Sequence, residues 1–307
     1  TSALHIACLA LGLKNGDVLW TVPNTFVASA NCGLYCGADV DFVDISTETL
    51  NMCPENLESK LFEAERNGSL PKIIIPVDFA GQPVEQEKIY SLAKKYGIYV
   101  IEDASHAIGA SRNNNNVGSC EYADITIFSF HPVKIITSGE GGIATTNSPE
   151  LHEKMCLYRS HGVTRDESLF QGVKEGGWYY EQLHLGFNYR MTDISAALGT
   201  SQFGRLDEFV EKRNLIASKY NEGLKGISMD LPYVQKENYS AFHLYVIRLK
   251  LSEICKAHGE IFETLRERGI GVNLHYFPVH LQPYYRNLGF KEGMYPNAEE
   301  YYRRAIS

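Results

Sequence analysis

Apolar residues in the first half of the chain fall into short blocks separated by polar, periodic stretches. Leu4 to Leu13 predicts a helix, stopped by the "KNGD" turn. "DVLWTVP" follows as a short apolar strand, and "FVASANCGLYCGA" as a helix of small residues ending at Gly37. "DVDFVDI" alternates with the period of a strand, and "PENLESKLFEAE" is an amphipathic helix opened by Pro54. "KIIIPVDFAG" is a continuous apolar run of the kind covered on both faces of a sheet. A helix from Val84 to Tyr96, strand "IYVIED", strand "ADITIFSF", a glycine-rich turn with strand "GEGGIATTN", and a helix from Pro149 complete the series. The βαβα order predicts an α/β domain around a mostly parallel sheet.

The pattern changes beyond that point. Gly162 to Gly186 is rich in Gly and Tyr and reads as a long loop, and from Thr192 one long helix or two lead away. The remainder mixes expected strands ("SAFHLYVIRLKL", "GVNLHYFPVH") with a helix at Ile261 to Arg268. The expected division is a large α/β domain over residues 1–205 and a smaller α+β domain over 206–307. The chain starts without Met and ends at "YYRRAIS", and the expectation is that both ends are cut within a longer protein.

Composition narrows the classes. The 307 residues are 44% apolar and 21% charged, as in a globular protein, with a formal net charge of −8. No basic block is present, which argues against a nucleic-acid or anionic-membrane surface. No apolar run is long enough to span a bilayer. Seven scattered cysteines include one close pair, Cys32 and Cys36, with no second pair to complete a zinc site. They read as reduced thiols of a cytoplasmic protein, and no metal is expected.

One lysine stands out. Lys134, in "TIFSFHPVKIITSGEGG", lies in a mostly apolar run five residues after Ser129, although burying an ammonium is costly. Taken alone, such a lysine is most often a solvated side chain, and an Asp after a strand is often a helix cap. Yet Asp103 closes "YVIED" and Ser129 closes "ADITIFSF", at the carboxyl edge where α/β sheets place ligands. An acid, a hydroxyl and a lysine in this order suit pyridoxal phosphate: an amine for its aldehyde, a carboxylate for its ring nitrogen, a hydroxyl for its phosphate. No G-x-G-x-x-G, G-x-x-x-x-G-K-[ST] or G-x-S-x-G is present for the rival schemes.

The segments "TVPNTFVASANCGLYCGADVDFVDI", "IPVDFAGQP", "IEDASHAIGA", "SFHPVKIITSGEGG" and "GFNYRMTDISAALG" occur in the order seen in the DegT/DnrJ/EryC1/StrS sugar aminotransferases, which the chain resembles throughout. The resemblance implies a fold-type I pyridoxal-phosphate enzyme that aminates nucleotide-linked keto-sugars. A minority of that family carries histidine in place of the lysine and dehydrates its substrate, so Lys134 implies a transaminase. By the same resemblance Asp103 pairs with the pyridine nitrogen, His106 lies near the ring oxygen, Phe26 lies against the ring face, and Ser129 and the amides of Thr1 and Ser2 hold the phosphate. Asn188 matches a residue that reaches the phosphate of a neighbouring subunit, which implies a homodimer. Arg190, His275, Tyr276 and His280 are expected to face the nucleotide-sugar. "GGWYYEQLHLGFNYRMTDISAALG" with "VNLHYFPVHLQPYY" is similar to the pseudaminic acid branch, which moves an amino group from glutamate to C-4 of a UDP-linked 2-acetamido-2,6-dideoxy-L-arabino-4-keto-hexose. The alternatives are a sister enzyme for another nucleotide-linked 4-keto sugar and a non-catalytic relative that binds the cofactor.

Overall fold

The structure, a computed structural model, describes residues 1–307. The apolar blocks form a six-stranded sheet. Strand β1 (Val18–Thr21) pairs in parallel with β2 (Asp39–Phe42) on one side and β3 (Ile73–Ile74) on the other. Parallel β4 (Tyr99–Asp103) and β7 (Ile125–Ser129) follow β3, and antiparallel β8 (Gly142–Thr145) closes the edge, giving the order β2-β1-β3-β4-β7-β8. Helices α2 (Ala28–Tyr35), α3 (Pro54–Asn67) and α4 (Gln86–Lys95) are the crossovers that parallel pairing requires. Helix α1 (Ser2–Ala10) packs beside α2 and against α5 (Pro149–Arg159). Because the chain leaves β1 for β2 and returns to β3 on the other side, the strand order reverses there, and the loops after β1, β4 and β7 open at the same edge.

Several expected elements are shorter than their apolar runs. In "KIIIPVDFAG" only Ile73–Ile74 is regular strand, because Pro76 has no N–H to give. Pairing still continues: the Ile75 amide donates to the Trp20 carbonyl at 2.7 Å and the Asp103 amide to the Pro76 carbonyl at 2.9 Å. The long loop after Gly162 contains a small antiparallel pair, β9 (Val163–Thr164) with β10 (Glu181–Gln182). The polar "NNNN" turn, with Asn113 and Asn114 at positive φ, joins β5 (Ser111–Arg112) to β6 (Asn115–Asn116).

Two helices, α6 (Asp193–Phe203) and α7 (Leu206–Gly223), meet at Gly204–Arg205. Strands β11 (Met229–Asp230), β13 (Ile247–Leu249) and β14 (Ala305–Ile306) make a small antiparallel sheet, and β12 (Asn238–Tyr239) pairs back onto β5. Helices α8 (His258–Glu267), α9 (Pro283–Asn287) and α10 (Pro296–Arg304) complete the chain. The expected strand at "GVNLHYFPVH" is absent. That stretch is fastened point by point instead: Asn273 exchanges amide bonds with Ser307, Tyr276 reaches His106, and the Val279 amide donates to the Pro23 carbonyl at 2.8 Å. A single core holds Leu19, Trp20, Ile73 and Ile101 of the sheet together with Val279, Tyr285, Tyr295 and Tyr301 from the C-terminal third. No helix is long and apolar enough to cross a membrane.

"SAFHLYVIRLKL" contributes only Ile247–Leu249 as strand, and the site explains why. Its first half lies across the turn at Ala80–Gly81, with the Ala241 amide on the Gly81 carbonyl at 2.9 Å and the Leu244 amide on the Ala80 carbonyl at 3.2 Å. Gly81 has φ +101, and a Cβ there would sit 2.8 Å from the Phe242 amide nitrogen and 2.9 Å from that of His243. Those atoms are backbone and cannot step aside. We expect Gly81→Ala to cost about 2–4 kcal/mol, in the range of strained backbone combined with overpacking. Gly97→Ala, at φ +70 with open space around it, should cost only the left-handed penalty of about 1–2 kcal/mol. Equal losses in urea melts of the two variants would refute the close-approach argument.

Candidate active site

Asp103 ends β4 and is buried. Its Oδ2 accepts from the Ser29 hydroxyl at 2.6 Å and its Oδ1 from the Ser105 amide at 3.1 Å. Ser29 lies one turn along from Thr25, whose hydroxyl it meets at 2.9 Å. The loop after β1 supplies Phe26, whose ring is 57% exposed, and the first turn of α2 supplies the support of the carboxylate. Phe26 lies 6.1 Å from the ring of Tyr276.

Lys134 follows β7 in a tight turn, its amide bonded to the His131 carbonyl at 2.9 Å. Ile135 and Ile136 anchor that turn in a second apolar cluster with Phe128 and with Leu206 and Val210 of α7. The apolar run around the lysine is thus the anchor, and the lysine itself turns toward the cleft. Burial lowers its pKa from 10.5 to about 8, against the opposing pull of Asp103. On its other side Lys134 forms part of the wall of an open cleft of about 590 Å³, shared with Lys212, Phe209, Tyr220, His243 and Tyr245.

Three imidazoles surround the amine. His106 is buried, accepts the Ala80 amide on Nδ1 at 3.3 Å and meets the Tyr276 hydroxyl through Nε2 at 3.1 Å. His243 lies 4.5 Å from it, ring to ring, with a buried Nδ1 that has no partner. His275 bonds the Ser307 hydroxyl through Nδ1 at 2.6 Å. Burial first, and the Lys134 charge after it, lowers all three: His106 falls well below the usual range, His243 to about 3, and His275 in the same direction. Burial likewise raises Tyr276, so its phenol keeps its proton. The neutral rings leave Lys134 as the cation nearest Asp103.

The expected residues do not all converge. Asp103, His106, Lys134, His275, Tyr276 and Phe26 are brought to one edge, with Ser129 at the end of β7, half-buried, its Oγ accepting from the His131 amide at 3.4 Å. Thr1 is the N-cap of α1 and, with Ser2, is exposed; no side chain caps the first amides of the helix, which leaves them open to an anion. Asn188 and Arg190 are exposed on a segment bridged to Ser160. His280 corrects the expectation. It is fully buried, bonded through Nε2 to Glu299 at 3.0 Å and packed on Tyr295 and Phe42, so it belongs to the core and cannot face a sugar.

Ser29, His243 and the carboxylates behind Asp103 escape the sequence reading. Only the helical spacing of Thr25, Phe26 and Ser29 could have signalled the first, and a histidine in an apolar run gives no signal. Glu102 and Asp78 are both buried; Glu102 accepts from Gln86 and from the Thr126 hydroxyl, the latter at 2.8 Å, while Asp78 Oδ2 has no conventional partner. Burial raises Asp78 well above its usual range and Glu102 to about 7.

The profile of the DegT/DnrJ/EryC1/StrS aminotransferase family matches residues 1–307, and the chain belongs to that family. It is 41% identical over 308 residues to the UDP-4-amino-4,6-dideoxy-N-acetyl-beta-L-altrosamine transaminase of Campylobacter jejuni, spanning 100% of this chain and 77% of that protein. The structure of Helicobacter pylori PseC, an aminotransferase of pseudoaminic acid biosynthesis, superposes with a TM-score of 0.86 at 31% identity, over 100% of this chain and 79% of the other. A sugar aminotransferase of Streptococcus pneumoniae, described as putative and solved in its PLP form, superposes at 0.85 with 27% identity, over 99% and 78%. The chain is therefore an aminotransferase, of a family that works with pyridoxal phosphate.

The carboxyl group of Glu102 sets a pH dependence. An unfolded glutamate titrates at about 4.3, whereas Glu102 holds its proton to about 7 in the fold. Between those values the native state binds more protons than the unfolded chain, so stability falls as pH rises and levels off above 7. Glu102→Gln keeps the shape and removes this titration. We expect it to gain stability over the parent chain from pH 5 to pH 8 in urea melts; parallel curves across that range would refute the assignment.

Proposed function

We propose that this aminotransferase uses pyridoxal 5'-phosphate to move an amino group from glutamate to C-4 of a UDP-linked 2-acetamido-2,6-dideoxy-4-keto-hexose, the reaction of pseudaminic acid biosynthesis. The observation that carries the reading is Lys134: a half-buried amine with its pKa lowered to about 8, near the buried carboxylate of Asp103. The names of the Campylobacter jejuni and Helicobacter pylori relatives support the choice of sugar.

The side chains fit the cofactor. Phe26 offers a ring face with no protein partner stacked on it, Asp103 a fixed negative charge, and His243 an unsatisfied buried nitrogen. When bound, the cofactor supplies an aldehyde for the travelling amino group and a ring that accepts electrons. Asp103 would hold the ring nitrogen protonated, Ser29 fixing its orientation. Ser129 and the first amides of α1, at Thr1 and Ser2, would take the phosphate. Lys134 would remove the proton from the α-carbon of glutamate and return one to C-4 of the sugar. An amine that titrates near 8 is present in both forms at working pH, as a base that later acts as an acid must be. Arg190, His275 and Tyr276 are assigned to the nucleotide-sugar, with Lys212 in the adjoining cleft suited to a diphosphate.

We would test this with pyridoxal phosphate, glutamate and UDP-4-keto-hexosamines of opposite C-5 configuration, reading 2-oxoglutarate and the mass of the aminated sugar. We expect amination of the L-arabino substrate and loss of turnover by at least ~10³-fold in Lys134→Ala, as for removal of a proton-transferring group. Amination of the D-configured sugar alone would overturn the choice of substrate, and no amination at all would overturn the nucleotide-sugar assignment.

The assembly is proposed as a homodimer with shared sites. Helix α6 is rich in apolar residues yet has none buried, and Ile194 is 86% exposed with Leu198 and Phe203 also bare. An apolar face of that kind calls for a covering surface. Asn188 stands exposed just before it, which is consistent with the contact to a second copy that the family resemblance implies. Ile194→Glu should shift sedimentation equilibrium toward monomer and lower activity together; a variant still dimeric at micromolar concentration would remove α6 from the interface.

A further inference from the structure

The tautomer of His106 is fixed by its neighbours. A ring nitrogen that accepts a hydrogen bond carries no proton, and the Ala80 amide donates to Nδ1. Burial keeps the ring neutral, so its single proton lies on Nε2. That N–H faces the Tyr276 oxygen at 3.1 Å and donates to it. Tyr276 receives this proton and must place its own elsewhere. His106 is its only hydrogen-bond partner in the chain. The phenol ring is held between Phe26, at 6.1 Å, and His275, at 5.0 Å, with Phe79 behind it at 6.5 Å. The hydroxyl proton of this half-buried ring therefore has no protein acceptor and is free for a ligand.

We propose that Tyr276 donates a hydrogen bond to an oxygen of the molecule bound in this cleft, and that His106 is the positioning residue that aims it. The acceptor is an electron-rich oxygen, which two sources could supply: the ring oxygen of the cofactor or the C-4 carbonyl of the sugar. This rests on the function proposed above and adds a departure from the family resemblance. His106 has one N–H, and here it is already given to Tyr276, so its influence on either oxygen passes through the phenol. The chain of donors runs from the Ala80 backbone, in the turn beneath residues 241–244, to the cleft. A strained loop thus sets the direction of a proton at the site.

The test has an arm that needs no cofactor. In the apo protein labelled with ¹⁵N-histidine, two-bond correlations should show His106 as the Nε2–H tautomer from pH 6 to pH 9, and Tyr276→Phe should move that proton upfield as its acceptor disappears. An Nδ1–H tautomer or a charged ring would overturn the proposal. In the loaded enzyme, Tyr276→Phe should weaken one affinity by about 3- to 10-fold, the effect of one hydrogen bond. A rise in the Kd for pyridoxal phosphate assigns the ring oxygen, and a rise in KM for the keto-sugar assigns the carbonyl. His106→Met should show the same loss, and His106→Gln, which keeps an N–H donor, should recover most of it. If neither Kd nor KM moves in Tyr276→Phe, the donor role is refuted. Failure to aminate any sugar would instead fall on the function, because the tautomer is read independently of turnover.

Discussion

A partly desolvated amine near one buried carboxylate is the constraint on which the rest of this structure depends. Desolvation alone would push Lys134 toward its neutral form, and Asp103 opposes that without cancelling it, leaving the amine near 8. A second strong charge would disturb the balance. The three imidazoles around it are accordingly neutral, through burial and through the lysine's own field. Asp103 must in turn be held still, which falls to Ser29 and the Ser105 amide. A carboxylate with two such donors keeps its place whether or not a ligand is present.

The same balance reaches into the core. Asp78, Glu102 and Asp103 lie close enough for each charge to raise the cost of the next. Burial favours the protonated forms of the two rear carboxyl groups, while Asp103 is held by the Ser29 hydroxyl and the Ser105 amide. Stability is thereby traded against pH behind the site, at the end of β4 and in the segment that follows β3, the two strands at the centre of the sheet. The geometry of the site and the stability of the sheet cannot be tuned separately at these residues.

How much of this is legible in the sequence depends on the range of each interaction. Strands and crossover helices are legible because their periodicity is local, and the arrival of Asp103 and Ser129 at one edge follows from strand direction and order alone. Lys134 is legible as an anomaly, a charge where the surrounding residues are apolar. Ser29 is not, since its partner lies 74 residues away. His243 and Tyr276 sit in segments that read as strands, and both leave the ladder because tertiary contacts outbid it: Ala241 and Leu244 bond the Ala80–Gly81 turn, and Tyr276 bonds His106. His280 shows the reverse error. The family resemblance implied a role toward the sugar, yet a buried glutamate 19 residues further along, in α10, draws it into the core.

Two apolar surfaces of this chain lack a protein partner, the ring of Phe26 and the face of α6. A phenylalanine exposed beside Tyr276 is unfavourable in water, and a flat aromatic ligand would relieve it. Helix α6 poses the same problem on a larger scale, an apolar surface whose solution lies outside one chain. The segment that carries Asn188 and Arg190 runs from the stacked rings of Phe187 and Tyr189 directly into α6. In the homodimer proposed above, a second copy covering α6 would also bury surface beside that segment, and the uncovered helix and the open face of Phe26 would each gain a partner that one chain does not supply.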